Sequence, residues 1–234
     1  MPELLGLGYM SEKNNIQLDT SSITEVAYAR LDTFITSLFE FKNTKIANAL
    51  KKYILEDPVT GIESNIAPSI KHNLDESPFD LFNDSLNETI IETKKYINRC
   101  LKDSLNNLRH KNDDYMIGYA SSWYHISRTN SSHGVHSHPN CSWCGIFYID
   151  PGDEGAGGET HFINPLKAQY CDEGTLHKEQ SSIEIIPTVG KLILFPSYLE
   201  HYQSLYTGNK ERIVVAFNCI IDQVIENENL RKLS

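Results

Sequence analysis

From Tyr115 onward the chain is written in strands. Short runs rich in β-branched and aromatic residues recur at 116–126, 142–149, 159–163, 182–186, 191–195 and 212–221. Gly and Pro clusters separate them, notably Asp150-Pro-Gly-Asp-Glu-Gly-Ala-Gly-Gly158 and Pro187-Thr-Val-Gly190. No helical pattern intervenes between these runs, so they predict a β-sandwich or jelly roll. Residues 164–181 are polar and aperiodic between two such runs, the profile of a lid or binding loop.

The first half carries a different period. Ser22-Ile-Thr-Glu25 has capping-box form and precedes Val26, Leu31, Phe34, Ile35 and Leu38 at the spacing of one helix face. A second helix is predicted over 45–55, ending before Asp57-Pro58. Gly61, Pro68 and Pro78 mark 60–78 as a long connection. A third helix is predicted over 84–108, burying Leu86, Ile90, Tyr96, Ile97, Leu101, Leu105 and Leu108. The expected class is therefore mainly β with N-terminal helices (α+β): a helical segment, 1–114, packed on a β core, 115–234, as one integrated domain.

Composition narrows the partners. With 21 basic and 31 acidic residues the net charge is −10, and no Lys/Arg run forms a nucleic-acid patch. A small anion held by one or two buried cations is still compatible with that balance. No stretch approaches the roughly 18 apolar residues of a membrane span, and no leader-like segment is visible. Five cysteines, an odd count, fit the reduced thiols of a cytoplasmic protein. The expected partner is thus a small molecule or peptide, not nucleic acid or membrane, with the helical half offering a surface for a homodimer.

The chemistry concentrates in a few positions. Residues i and i+2 of a strand share a face, so His136-Ser-His138-Pro139 can aim two imidazoles at one point. His201, after Phe195-Pro196, can close a three-ligand facial set with open positions. His133 adds a further imidazole to the cluster. Should His138 point away, Asp150, Asp153 or Glu159 could supply the third ligand. Arg212 opens the apolar run Ile213-Val-Val-Ala-Phe217, so it is expected to be partly buried and to need an anionic partner. Cys141-Ser-Trp-Cys144 is a rival metal motif, but all four Cys and His positions crowd into nine residues. In a regular strand the two thiols would also face opposite sides.

These fragments occur in a fixed order: Trp123-Tyr-His125, His136-Ser-His138-Pro139-Asn140, Gly145-Ile-Phe-Tyr148, Gly157-Gly-Glu159-Thr-His-Phe162, Ile186-Pro187 to Phe195-Pro196, His201, and Glu211-Arg212 to Asn218. The series resembles the 2-oxoglutarate- and Fe(II)-dependent oxygenases, in the subgroup with His-x-His-Pro in place of His-x-Asp. That resemblance implies a double-stranded β-helix (a cupin-like jelly roll) and an Fe(II) centre at His136, His138 and His201. It implies 2-oxoglutarate as cosubstrate, anchored on Arg212; Tyr124, Tyr148 and Asn218 are candidate hydrogen-bonding partners, with core packing as the alternative role for each. The implied reaction is hydroxylation with release of succinate and CO2. Two other readings stand beside it. One is a three-His cupin-type iron dioxygenase that binds its substrate without 2-oxoglutarate. The other is a non-catalytic β-sandwich binding module.

Overall fold

Every predicted β run of the second half lies within or overlaps a strand of one antiparallel sheet. The computed structural model describes residues 27–30, 37–56, 70–78, 80–109, 115–165 and 182–223. In chain order the elements are β1 (Ala27–Arg30), β2 (Phe39–Lys42), α1 (Thr44–Glu56), β3 (Lys71–Glu76), α2 (Glu88–Arg109), β4 (Tyr115–His136), β5 (Trp143–Asp150), β6 (Thr160–Ile163), β7 (Ser182–Ile185), β8 (Lys191–Pro196), β9 (His201–Tyr206) and β10 (Arg212–Gln223). Spatial order is β1-β2-β8-β5-β10-β4-β9-β6-β7, with β3 added to β4.

Strand β4 turns this row into a half-barrel. Its first half pairs with β10 from Tyr115↔Gln223 to Ser127↔Arg212. Its second half pairs with β9 at Ser131↔Tyr206, His133↔Gln203 and His136↔His201. One long strand thus leaves the first layer and enters the second, as a double-stranded β-helix requires.

Alternation along the strands sorts the core into two compartments. On β8, Leu192 and Leu194 face the helices, whereas Ile193 and Phe195 face the barrel interior. On β10, Ile213, Val215 and Phe217 belong to the helix-side core and Val214 to the interior. Helix α1 buries Ala47, Leu50 and Ile54, and α2 buries Ile90, Tyr96, Ile97, Leu101 and Leu105 along one stripe. Each fully buried aliphatic side chain of that stripe contributes roughly 1.5–3 kcal/mol. Thr93 and Ser104 are tolerated there because their hydroxyls donate back to the carbonyls of Thr89 and Cys100, at 2.7 and 2.8 Å.

Three sequence expectations for the first half are corrected. Ala27–Arg30, inside the first predicted helix, is an edge strand paired with β2; the flanking residues 22–26 and 31–36 lie outside the described part. A backbone edge offered by β2 overrides a weak helical period. Lys71–Glu76, inside the expected connection, is strand β3 against β4. Its polar sequence gives no β signal, and it bends at Asn73, whose φ is 48°. Helix α2 starts at Glu88 because Asn87 Oδ1 accepts the backbone N–H groups of Thr89 (2.9 Å) and Ile90 (3.4 Å). Leu86 therefore falls before the helix and is 93% exposed rather than on its buried stripe. No helix among the described residues is long and apolar enough to cross a membrane. Of the expected loop 164–181, all but Asn164 and Pro165 lies outside the described part.

Candidate metal centre and anion site

Three imidazoles converge where β4 ends beside β9. His136 and His201 are register partners across that pair. His138 follows two residues after His136, its backbone N–H donating to the Ser197 carbonyl at 3.1 Å. The ligand nitrogens of His136, His138 and His201 all lie within 4.8 Å of one another. Among the described residues they are the one cluster of His, Cys, Asp or Glu with metal-binding spacing.

Backbone carbonyls fix two of the three rings. His136 Nδ1 lies 2.8 Å from the Gly134 carbonyl, and His201 Nδ1 lies 2.9 Å from that of Leu199. A carbonyl only accepts, so both Nδ1 atoms carry the proton and both Nε2 lone pairs are free for a metal. Burial holds the imidazoles neutral: His136 titrates below its ordinary value, His201 well below it, and His138 at about 4. Neighbouring histidines reinforce this for all three. Neutral nitrogen donors are already in the protonation state that a divalent transition metal needs.

Arg212 supplies the cation. It begins β10, and its parity with Val214 turns it into the barrel, where it is 1% exposed. Its Nη1 donates to Gln203 Oε1 at 2.9 Å, and its guanidinium lies 5.6 Å from the centre of the Tyr148 ring. No carboxylate among the described residues forms an ion pair with it. Burial pulls its pKa down, opposed by Tyr148, Tyr206 and Glu159. The cleft also holds buried polar atoms without hydrogen-bond partners among the described residues: Arg212 Nε, Gln203 Nε2, Asn218 Oδ1 and His133 Nε2. Such orphans in a cavity lined by three neutral imidazoles fit a polar anion that reaches from a metal to the guanidinium. The donor set and the cation thus suit Fe(II) and a dicarboxylate.

The remaining predicted residues divide. Tyr148 is buried under Arg212, and its hydroxyl donates to Thr160 Oγ1 at 2.6 Å. Asn218 lines the cleft, its amide nitrogen donating to Ser121 Oγ at 2.9 Å. Tyr124 lies on the opposite face of β4, in the helix-side core. His133 stacks on His136 with ring centres 4.0 Å apart. The carboxylates weighed as substitute ligands have other partners. Asp150 pairs with Lys51 at 2.6 Å, Asp153 accepts the backbone N–H groups of Asn209 and Lys210, and Glu159 accepts the Ser204 hydroxyl. Cys141 and Cys144 meet each other, with Sγ atoms 3.7 Å apart, and not the histidines as ligands.

Two features escaped the sequence reading. His125 lines the cleft and is gripped from β3: its Nε2 lies 2.5 Å from Glu76 Oε2, and Lys71 Nζ lies 2.6 Å from the same oxygen. Gln203 and Thr160 contribute polar atoms to the wall. The available signal for His125 was its alternation with Trp123, which also lines the cleft.

Residues 121–218 match the family model described as "Putative 2OG-Fe(II) oxygenase". No curated protein matches the sequence. Several solved structures share the fold at low identity. A prolyl hydroxylase from Trichoplax adhaerens, in complex with a hypoxia inducible factor oxygen degradation domain peptide fragment, superposes with a TM-score of 0.53 at 15% identity, covering 85% of this chain and 87% of its own. A Pseudomonas putida prolyl-4-hydroxylase gives 0.51 at 11% identity, over 79% and 92%. HygX from Streptomyces hygroscopicus, with nickel, 2-oxoglutarate and hygromycin B bound, gives 0.50 at 11% identity, over 78% and 82%.

Proposed function

We propose that this chain, whose residues 121–218 match the 2OG-Fe(II) oxygenase family model, is such an oxygenase and hydroxylates a small molecule or peptide using His136, His138 and His201 for iron and Arg212 for the cosubstrate. The observation that carries this assignment is Arg212: a guanidinium 1% exposed, without a carboxylate partner among the described residues, in the cleft that the three histidines line. A buried cation needs an anion, and 2-oxoglutarate offers a carboxylate at the far end from its metal-chelating group. When bound, Fe(II) and 2-oxoglutarate supply the activation of dioxygen, with succinate and CO2 as co-products of C–H oxidation.

The chain's own residues do the rest. His136 and His201 enter the site with tautomers fixed by Gly134 and Leu199, so no reorganisation precedes metal binding. His138 adds a third neutral donor where a carboxylate would add negative charge, leaving the centre one charge more positive. Tyr148 packs against the guanidinium and holds it in line with β10. Trp123, Ile146, Phe195 and Val214 wall the cleft with apolar surface, which excludes water and strengthens the ionic contact at Arg212. The pairing of β2 with β8 and the packing of α1 and α2 on the core support treating 1–114 and 115–234 as one integrated domain.

The test is a proton-NMR assay of the iron-loaded protein with 2-oxoglutarate and panels of peptides and small molecules. Conversion of 2-oxoglutarate to succinate in step with an oxidised product is expected. Substrate oxidation without 2-oxoglutarate consumption would overturn the assignment in favour of direct substrate ligation.

A further inference from the structure

The Cys141-Ser-Trp-Cys144 pair is left unused by the oxygenase reading, and its geometry departs from the strand expectation. The chain turns at Asn140, whose φ is 61°, before β5 begins at Trp143. That turn brings Cys141 Sγ to 3.7 Å from Cys144 Sγ, rather than onto opposite faces. Neither cysteine is in a disulfide, Cys141 is half-buried, and Cys144 is buried in the cleft wall.

We propose that Cys141 and Cys144 are a redox-active dithiol that a hydroperoxide oxidises to a disulfide, and that closing this bridge weakens metal binding through His138. An S–S bond is about 2.05 Å long, so closure needs roughly 1.7 Å of approach, within reach of side-chain rotation and a small shift of the turn. The half-buried Cys141 is the sulfur an oxidant reaches first. Burial pushes the Cys144 thiol far above its ordinary range, so it is not the sulfur that attacks the peroxide first.

The chemistry balances in two steps. The Cys141 thiolate attacks the hydroperoxide, the O–O bond breaks, and the departing alkoxide takes up the thiol proton as an alcohol, leaving a sulfenic acid. Cys144 sulfur then displaces the hydroxyl of that sulfenic acid, which leaves with the Cys144 proton as water while the S–S bond forms. Two thiols lose two electrons and two protons; the peroxide is reduced to alcohol and water.

The link to the metal site is a set of short contacts. Cys141 Sγ approaches the His138 carbonyl at 3.5 Å. The Cys141 carbonyl accepts the Ser197 hydroxyl at 2.7 Å, while the Ser197 carbonyl accepts the His138 N–H at 3.1 Å. Moving Cys141 toward Cys144 therefore strains the backbone that presents His138 and the turn that leads to His201. This coupling rests on the iron reading above; the bridge itself does not.

The experiment treats the reduced, metal-free full chain with one equivalent of hydrogen peroxide. Intact mass, a non-reducing peptide map and Fe(II) affinity by competition with a chromophoric chelator follow. A loss of two hydrogens mapped to the peptide carrying both cysteines, reversed by dithiothreitol, is expected. It should survive Cys219→Ser and vanish in Cys141→Ser. Fe(II) binding by the bridged form should weaken about tenfold or more, in the range seen when the surroundings of a metal ligand are disturbed. Over-oxidation without a bridge, or a bridge to another cysteine, would overturn the dithiol. A bridge with unchanged Fe(II) affinity would overturn the coupling. A reduced protein that binds no Fe(II) would instead remove the iron reading and leave the dithiol standing.

Discussion

Replacing Arg212 by Met should leave the ligand-free protein as stable as before, or more so, while removing 2-oxoglutarate binding. Met keeps the apolar stem that packs near Tyr148 and deletes the charge. The lost hydrogen bond to Gln203 costs about 1 kcal/mol. Against that, a buried ion without a counter-ion carries a desolvation penalty of several kcal/mol, which the substitution removes. Truncating one partner of a buried, hydrogen-bonded charge pair costs roughly 2–5 kcal/mol of affinity. At about 1.4 kcal/mol per decade this is a weakening of roughly 30- to 4,000-fold. The assay is denaturant unfolding of the Fe(II)-loaded, anaerobic protein with and without 2-oxoglutarate. A ligand at a hundred times its dissociation constant adds about 2.7 kcal/mol to the native protein. The variant at the same ligand concentration should show almost none of that increment. A variant that still gains most of it would refute the placement of the distal carboxylate on Arg212. A variant much less stable without ligand would refute the view that this charge is uncompensated.

The remaining predictions concern the same cleft. Substituting His136, His138 or His201 singly by Ala should remove stoichiometric Fe(II), measured by metal analysis after dialysis, with the fold retained by circular dichroism. The metal-free protein should lose stability as pH falls below about 6.5, because the unfolded chain then takes up protons that the buried imidazoles refuse. For His138 the loss should run down to about pH 4, at roughly 1.4 kcal/mol per pH unit for each histidine involved, read from urea midpoints. A flat profile between pH 7 and 5 would contradict the neutral-imidazole picture. Gly158→Ala should weaken 2-oxoglutarate binding without touching the ligand, because a Cβ there sits 2.9 Å from Arg212 Nε on a backbone at φ +82°. Calorimetry giving wild-type affinity would exclude that steric link. Gly145→Ala drives a Cβ to 2.1 Å from Phe217 and should destabilise the fold by about 1–3 kcal/mol, measured by thermal unfolding.

Much of the site was legible because strand chemistry is local. His136 and His138 share a short spacing, and Arg212 announces its burial by the apolar residues that follow it. Tyr124 shows where local reasoning stops. It lies twelve residues before His136, an even separation that places both on one face of a regular strand. In the structure, β4 carries an extra residue against β9 between His133 and His136, which reverses the parity. His133, His125 and Trp123 therefore face the cleft and Tyr124 faces the helices. A bulge of this kind has no distinct sequence signal. The same limit hid β3: Lys-His-Asn-Leu-Asp-Glu has no β propensity, and it becomes a strand because the long edge of β4 is there to pair with it. Its Glu76, invisible as a site residue in the sequence, is what orients His125. Asn140 did the same for the thiols, since its left-handed backbone brings Cys141 onto Cys144.

The most direct test of the central claim is anaerobic titration of the metal-free protein with Fe(II) and 2-oxoglutarate, followed by visible absorption. A weak charge-transfer band that saturates at one equivalent of each, and is absent in His201→Ala, is the predicted result. Stoichiometric iron binding with no band at saturating 2-oxoglutarate would contradict the account, because the dicarboxylate would then not reach the metal.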